Sequence, residues 1–255
     1  MIAQAVHTPK ITAGSCTLEE LLGQVLQELP ERSIVAVTSK IVSLCEGRVL
    51  PIAGTDLKQL IRDEAEWYMP SATPQHGYTT TLAHGMLTLN SGIDESNTGG
   101  VYVLWPADPQ ASANSIRRYL QKRFNLKEVA VIITDSVFLP MRWGAVGSCL
   151  AASGIAPMRS YKDETDLFGR PLLLSRTNIV DSLATTATLL MGEGAEQTPL
   201  AIFSDVPNVT FQPDDPTAEE LAARHTPPSE DMFGEMLTAV AWEKGAAHPA
   251  SQRDS

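Results

Sequence analysis

The sequence predicts an α+β fold, on three observations. Short apolar segments bounded by Gly, Pro and Asp alternate with capped amphipathic stretches. The alternation is irregular and includes hairpin-like pairs, which argues against a regular doubly wound sheet. At 255 residues, 43% apolar and 19% charged, the chain has material for one large domain or two interlocked small ones, and no signature of disorder.

Taken in order, Thr17-Leu18-Glu19-Glu20 reads as a capping box. Leu18, Leu21, Leu22, Val25, Leu26 and Leu29 follow at helical spacing, and Pro30 stops the run. Ile34 to Val37 reads as a short buried strand entering the polar segment Thr38-Ser39-Lys40. A second helix is expected over Asp56 to Met69, with Leu57, Leu60, Ile61, Ala65 and Tyr68 inward, and a loop over residues 70–80 with Pro70, Pro74 and Gly77.

Val101 to Leu104 reads as a strand ending at Trp105-Pro106. Asp108-Pro109 then opens a helix through Asn125, buried through Ala113, Ile116, Leu120 and Phe124. Its Arg117, Arg118, Lys122 and Arg123 read as a solvated basic face. Val129 to Thr134 is the strongest strand and ends in Asp135-Ser136. Thr177-Asn178 caps a helix through Met191, which Gly192 terminates, and Leu200 to Phe203 is another strand. Beyond Phe211 the chain turns Pro- and acid-rich, with one amphipathic helix over Ser229 to Trp242 and a frayed tail over 243–255.

Composition excludes several functions. Nineteen Lys and Arg against thirty Asp and Glu give a net charge of −11, which repels phosphate backbones and anionic lipid, so neither nucleic acid nor membrane is an expected partner. No run approaches a bilayer-spanning length, and the N-terminus lacks a basic region followed by an apolar one. Cys16, Cys45 and Cys149 are sparse, odd in number and without a CxxC, as in a reduced cytoplasmic protein.

The common chemical motifs are missing: no phosphate loop, dinucleotide fingerprint, HExxH or GxSxG occurs. The five histidines read as surface or loop residues, and Trp67 and Trp105 as core. Trp143, beside Arg142, is a candidate for stacking. Three polar elements stand at the ends of apolar segments: Gly92-Ile93-Asp94-Glu95-Ser96-Asn97, Asp135-Ser136 and Gly192-Glu193-Gly194-Ala195-Glu196. Each alone is also a good turn or cap. Together, with Lys40 and Arg142 available for phosphate oxygens, they suit Mg²⁺ or Mn²⁺, which take oxygen ligands along with substrate phosphates.

These segments resemble the coenzyme F-420 gamma-glutamyl ligase family. The matching stretches are Thr38 to Ser43 with Glu46-Gly47-Arg48, Gly92 to Asn97, Leu104 to Pro109, Val131 to Ser136, Asp166 to Arg170 and Leu190 to Gly194. The resemblance implies an unusual two-lobed α+β ligase fold forming an intertwined homodimer. The catalytic unit would cover 1–212, with 213–242 as an acidic loop and helix of the same unit.

It further implies that L-glutamate is joined to a cofactor precursor's carboxylate with GTP or ATP and two divalent metals, with room for a monovalent cation. Asp94 and Asp135 match one metal's ligands, Ser136 and Glu193 the second's. Thr8, Pro9, Lys10, Ile11, Ser39, Lys40, Asn97 and the loop Met191, Gly192, Glu193, Gly194, Ala195, Glu196, Gln197, Thr198 match nucleotide-binding positions. Lys40 and Arg142 would assist phosphoryl transfer.

The chain departs from the family pattern in three places. Leu44 replaces a lysine, Phe138-Leu139 replaces Gly-Arg, and His7-Thr8-Pro9-Lys10-Ile11 replaces a more apolar start. Ser43-Leu44-Cys45-Glu46-Gly47-Arg48 and Val103-Leu104-Trp105-Pro106 resemble a branch assigned to folate metabolism, so a folate-type pterin acceptor is the expectation. A deazaflavin acceptor is the alternative. A nucleotide-binding protein that kept the fold and lost catalysis is the rival from another class.

Overall fold

The computed structural model describes residues 1–70 and 77–247. In chain order the first elements are β1 (Ile2–Val6), α1 (Leu18–Val25), β2 (Ser33–Thr38), α2 (Ser39–Glu46), β3 (Val49–Pro51), α3 (Leu57–Glu64), β4 (Trp67–Tyr68) and β5 (Thr80–Ala83). There follow β6 (Met86–Leu89), β7 (Val101–Val103), α4 (Pro109–Phe124), β8 (Val129–Phe138), β9 (Ala145–Ser153), β10 (Met158–Ser160) and β11 (Arg176–Asn178). The last are α5 (Ile179–Met191), β12 (Leu200–Ser204), α6 (Ala218–Ala222), α7 (Gly234–Ala239) and β13 (Glu243–Lys244). The fold is α+β, and the chain divides into two compact units, each built from several segments.

The first unit takes residues 1–11, 16–42 and 108–215. Its sheet runs β1-β12-β2-β8-β9, with β2 and β8 parallel and every other pair antiparallel. Strand side chains alternate between faces. Ile34, Ala36, Ala130 and Ile132 therefore meet Val180, Leu183, Ala184 and Ala187 of α5 on one face. Val35, Val37, Val131 and Ile133 are buried on the other. Burial on both faces is why β2 and β8 read as unbroken apolar runs. Asp108 caps α4 by accepting from the Ala111 N–H at 2.8 Å, and Asn125 ends it in the left-handed conformation.

The predicted basic face of α4 is corrected at Arg117, whose residue is only 3% exposed. Its guanidinium donates to the Ser153 hydroxyl at 2.9 Å, the Pro213 carbonyl at 2.6 Å and the Asp215 carboxylate at 2.6 Å. A buried cation needs such partners, and two of the three, the counter-charge among them, come from a segment nearly a hundred residues away that spacing along the helix does not reveal. The strongest strand also runs further than expected. Asp135 and Ser136 pair with Ser148 and Gly147 of β9, a strand the sequence reading omitted, and β8 continues to Phe138.

The second unit takes residues 12–15, 43–107 and 216–255. It contains an antiparallel sheet β13-β4-β5-β6, the pair β3-β7, and a small core of Leu60, Tyr102 and Leu104 with Ile52, Leu57 and Ile93. The helix expected over Asp56 to Met69 ends at Glu64. Ala65 is extended, Glu66 N–H donates to the Leu82 carbonyl, and Trp67-Tyr68 pair with β5, so sheet pairing overrides the helical pattern. Trp67 is consequently exposed rather than core.

The C-terminal helix is shorter than Ser229 to Trp242. An Asp231 turn precedes it, Val240 is extended, and only Gly234–Ala239 is helical. Ala218–Ala222 forms a helix of its own on a Thr17-like capping box, Thr217 with Glu220. Glu243 and Lys244, assigned to the tail, instead pair with Tyr68 and Trp67. Most of the loop expected over 70–80, Pro74 included, and the end of the tail lie outside the described residues. No described helix is long and apolar enough to cross a membrane.

Candidate active site

The register of the first unit's sheet assembles most of the predicted site at one edge. In the parallel pair, Thr38 stands opposite Thr134 as the last matched position. The next residues on each strand, Ser39 and Asp135, are then neighbours, and the Ser39 hydroxyl donates to Asp135 Oδ1 at 2.8 Å across 96 positions of sequence. Ser39 is buried, Asp135 half-buried, and Lys40 follows Ser39 as the second residue of α2. The polar segment Thr38-Ser39-Lys40 takes the chain from the end of β2 into the start of a helix, whose N-terminal N–H groups favour anions.

The antiparallel neighbours bring the remaining parts to the same edge. β12 enters there, and Thr38 N–H donates to the Pro199 carbonyl at 3.0 Å. The loop Met191–Thr198 that precedes β12 therefore lies beside the end of β2. The Thr198 hydroxyl closes the loop on the Met191 carbonyl at 2.7 Å, and Gly194 N–H donates to the Glu196 carboxylate at 2.8 Å. Gly192 has φ +77° and ψ 172°, a backbone conformation essentially restricted to glycine, and its Cα lies beside the Glu196 carboxylate. β1 leaves at the same edge, where Thr8 N–H donates to the Gln197 carbonyl at 2.9 Å. Thr8 is buried, while Pro9 and Lys10 are exposed and Ile11 is partly buried.

Glu193 reaches from that loop to β8, where Ser136 donates its hydroxyl to Glu193 Oε1 at 2.6 Å. The close approach depends on α5 lying flat on β9. A Cβ on Gly147 would stand 2.2 Å from the Ala184 carbonyl, and Thr185 donates to the Gly147 carbonyl at 2.8 Å. Asp181 fastens the other end of α5, accepting from Ser148 Oγ at 2.9 Å, Cys149 N–H at 2.6 Å and its cap residue Asn178. Arg142 sits on the exposed connection between β8 and β9, its N–H bonded to the Leu139 carbonyl at 3.2 Å.

Asp94 and Asn97 belong to the second unit. Asp94 exchanges main-chain hydrogen bonds with Val103, at 3.0 and 2.8 Å. Its carboxylate accepts from Ser96 N–H at 2.7 Å and Ser96 Oγ at 3.1 Å, and Asn97 is left-handed with φ 56°.

Among the described residues, no group of three His, Cys, Asp or Glu side chains within either unit is placed to hold a metal ion. The donors present are all oxygen: carboxylates of Asp135 and Glu193 and hydroxyls of Ser39 and Ser136. Such a set fits Mg²⁺ or Mn²⁺, which need only one or two carboxylates and complete their shells with water and phosphate oxygens.

The chain matches the family described as F420-0:gamma-glutamyl ligase over residues 57–205. A coenzyme F420:L-glutamate ligase of Methanocaldococcus jannaschii is 35% identical over 211 residues, 76% of this chain and 82% of the relative. The chain belongs to the F420-0:gamma-glutamyl ligase family. A ligase of the same name from Methanopyrus kandleri is 34% identical over 204 residues, covering 73% and 79% of the two chains. Another, from Methanococcus maripaludis strain C7, is 40% identical over 154 residues. There the match covers 60% of this chain and only 59% of the relative's length.

Proposed function

We propose that this family member is an amide-forming ligase that joins L-glutamate to the carboxylate of a deazaflavin coenzyme F420 precursor. The observation that carries the reading is the match to ligases named for coenzyme F420, which includes 82% of the length of the M. jannaschii protein. Those names favour the deazaflavin acceptor over the folate-type one expected from the sequence.

A carboxylate and an amine do not condense in neutral water, because the carboxylate is a poor electrophile. Phosphoryl transfer from GTP or ATP to the acceptor carboxylate gives an acyl phosphate, which the glutamate amine attacks with phosphate leaving. The nucleotide, acceptor and glutamate are all anionic, so the site must supply positive charge. Lys40, Lys10 and the N-terminus of α2 would contribute it, α2 starting beside the Ser39–Asp135 pair. Arg142 on the neighbouring connection is suited to a transferring phosphoryl oxygen.

Asp135 would hold one divalent cation and Ser136 with Glu193 a second, and Asp94 is the metal-ligand candidate of the second unit; when bound, such cations would supply charge neutralisation at the phosphates. Ser39, Thr8 to Ile11 and Met191 to Thr198 would be the first unit's contacts to a nucleotide in this reading, and Asn97 is the second unit's candidate. A two-lobed, intertwined homodimer belongs to it as well. Its support is the exposure of Met141, Trp143, Leu167 and Phe168, each at least 90% exposed, which a second copy would cover. Light scattering at low micromolar concentration should then give about twice the 27.5 kDa chain mass.

The test is incubation with the deazaflavin precursor or tetrahydrofolate, glutamate, Mg²⁺ or Mn²⁺, and either nucleotide, followed by mass spectrometry. A one-glutamate increment on the deazaflavin supports the reading. The increment on folate alone would restore the other acceptor, and no product with any acceptor would favour the non-catalytic rival.

A further inference from the structure

Three sequence features take no part in the site above: Arg48 of the Glu46-Gly47-Arg48 stretch, Trp105, and the glycine before Asp94. In the second unit they form one connected assembly. Arg48 Nη2 donates to Glu64 Oε2 at 2.7 Å, and Arg48 Nε donates to the main-chain carbonyl of Trp105 at 3.2 Å. The Arg48 carbonyl in turn accepts from Leu104 N–H at 3.1 Å. The tryptophan is thus gripped through its backbone by a charged side chain that is itself ion-paired.

Trp105 is 3% exposed, and its indole lies flush against Gly92. A Cβ on that glycine would stand 2.1 Å from Trp105 Cε2 and 2.3 Å from Nε1, and the backbone there has φ +72°. His84 meets the ring edge-on, with centroids 5.7 Å apart. Two residues beyond Gly92, Asp94 is bridged to Val103, itself two residues before Trp105. The segments Gly92–Asp94 and Val103–Trp105 are therefore locked antiparallel at both ends, by main-chain hydrogen bonds at one and by ring against Cα at the other. Upstream, Ser91 Oγ donates to the Ile61 carbonyl at 3.0 Å, which anchors the turn to the end of α3.

We propose that Trp105, held by Arg48 and Glu64, is a positioning residue that fixes where the Asp94 carboxylate stands for a divalent cation. The proposal rests on the reading of Asp94 as a metal ligand. Trp105 is one of the buried apolar residues, and its contacts reach beyond filling the core. It presses on the α-carbon of the turn that delivers the ligand and has its own carbonyl fixed by an arginine. Supports of a ligand's orientation typically change metal affinity by 10–100-fold when removed.

The experiment is a Mn²⁺ titration of the full chain with GTP present, with free Mn²⁺ followed by electron paramagnetic resonance and unfolding midpoints measured in parallel. Asp94→Ala identifies the class of Mn²⁺ site that depends on this aspartate. At that class, Trp105→Leu and Arg48→Gln should each weaken Mn²⁺ on the order of tenfold. Trp105→Phe, which keeps a flat ring over Gly92, should stay near wild type. A merely structural role would lower the midpoint and leave the Mn²⁺ affinity of the folded variants unchanged, and that result overturns the proposal. If Trp105→Leu does not fold, Arg48→Gln decides alone. Loss of nothing in Asp94→Ala would remove the metal assignment, and the proposal with it; retained Asp94 dependence with unaffected Trp105 and Arg48 variants would remove the proposal alone.

Discussion

Ser136 and Glu193, 57 positions apart, meet through a 2.6 Å hydrogen bond from the serine hydroxyl to the glutamate carboxylate. The contact joins the continuation of β8 to the loop after α5, and it places a carboxylate and a hydroxyl one residue along the strand from the Ser39–Asp135 pair. Two oxygen pairs on successive residues of one strand present donors on both of its faces.

Asp135→Ala and Glu193→Ala should each lower kcat/KM for ligation by at least about a hundredfold, the scale seen when a charge-stabilising group is removed from an active site. Circular dichroism should stay unchanged, since neither side chain is part of the core. Ser136→Ala should lose activity while costing about 1 kcal/mol or less in stability, because the lost hydrogen bond is exposed. Near-wild-type turnover in Asp135→Ala or Glu193→Ala would remove the site assignment.

Gly147→Ala tests the packing that brings the loop to β8. Its methyl would stand 2.2 Å from the Ala184 carbonyl and 2.3 Å from Thr188 Oγ1, so β9 and α5 must separate. The expected cost is about 1–3 kcal/mol, measured by denaturant unfolding, with activity reduced in the folded fraction as well. An unperturbed midpoint would show that the two elements are less tightly apposed than this.

Asp215→Ala removes the carboxylate that Arg117 and Arg118 share. Arg117 is buried and keeps only the Ser153 and Pro213 oxygens of the bonds described above. Leaving a buried cation short of its counter-charge should cost about 3 kcal/mol. Arg118→Ala, at an exposed position, should cost under about 1 kcal/mol. Comparable losses in the two variants would contradict the asymmetry.

Glu31 gives a pH signature. Its carboxylate accepts the main-chain N–H groups of Glu128 and Lys127, which hold its pKa below the usual glutamate value. A lowered folded-state pKa means that the unfolded chain takes up the proton first as pH falls. The stabilisation is complete above the unfolded value of 4.5 and disappears as pH drops through the lower folded value. Unfolding midpoints of wild type and Glu31→Gln should therefore differ at neutral pH and converge in acid. A constant difference from pH 7 to pH 3 would rule this out.

The sequence was most readable where pattern and tertiary structure agree. Asp108, Asn178 and Thr17 cap helices at the positions their chemistry indicates, and the apolar runs of β2 and β8 are buried strands. The reading failed where distant pairing decides. Trp67 and Tyr68 continue a helical pattern but are captured by β5, and Arg117 looks solvated until the Pro213–Asp215 segment arrives. For the site, the motifs named the residues, whereas only the strand register explains why Ser39 meets Asp135. No spacing in the sequence joins Glu64, Arg48, Trp105 and Gly92, and a tryptophan and a glycine standing in motifs beside candidate ligands are the one signal of that assembly.

The central claim is that this chain activates an acceptor carboxylate for attack by glutamate. Its most direct measurement is phosphate release from GTP and from ATP with the deazaflavin precursor, in the presence and absence of L-glutamate. Stoichiometric release that requires both acceptor and glutamate, one phosphate for each amide formed, is the predicted result. Release that continues at the same rate without glutamate and acceptor, or no release under any condition, would contradict it.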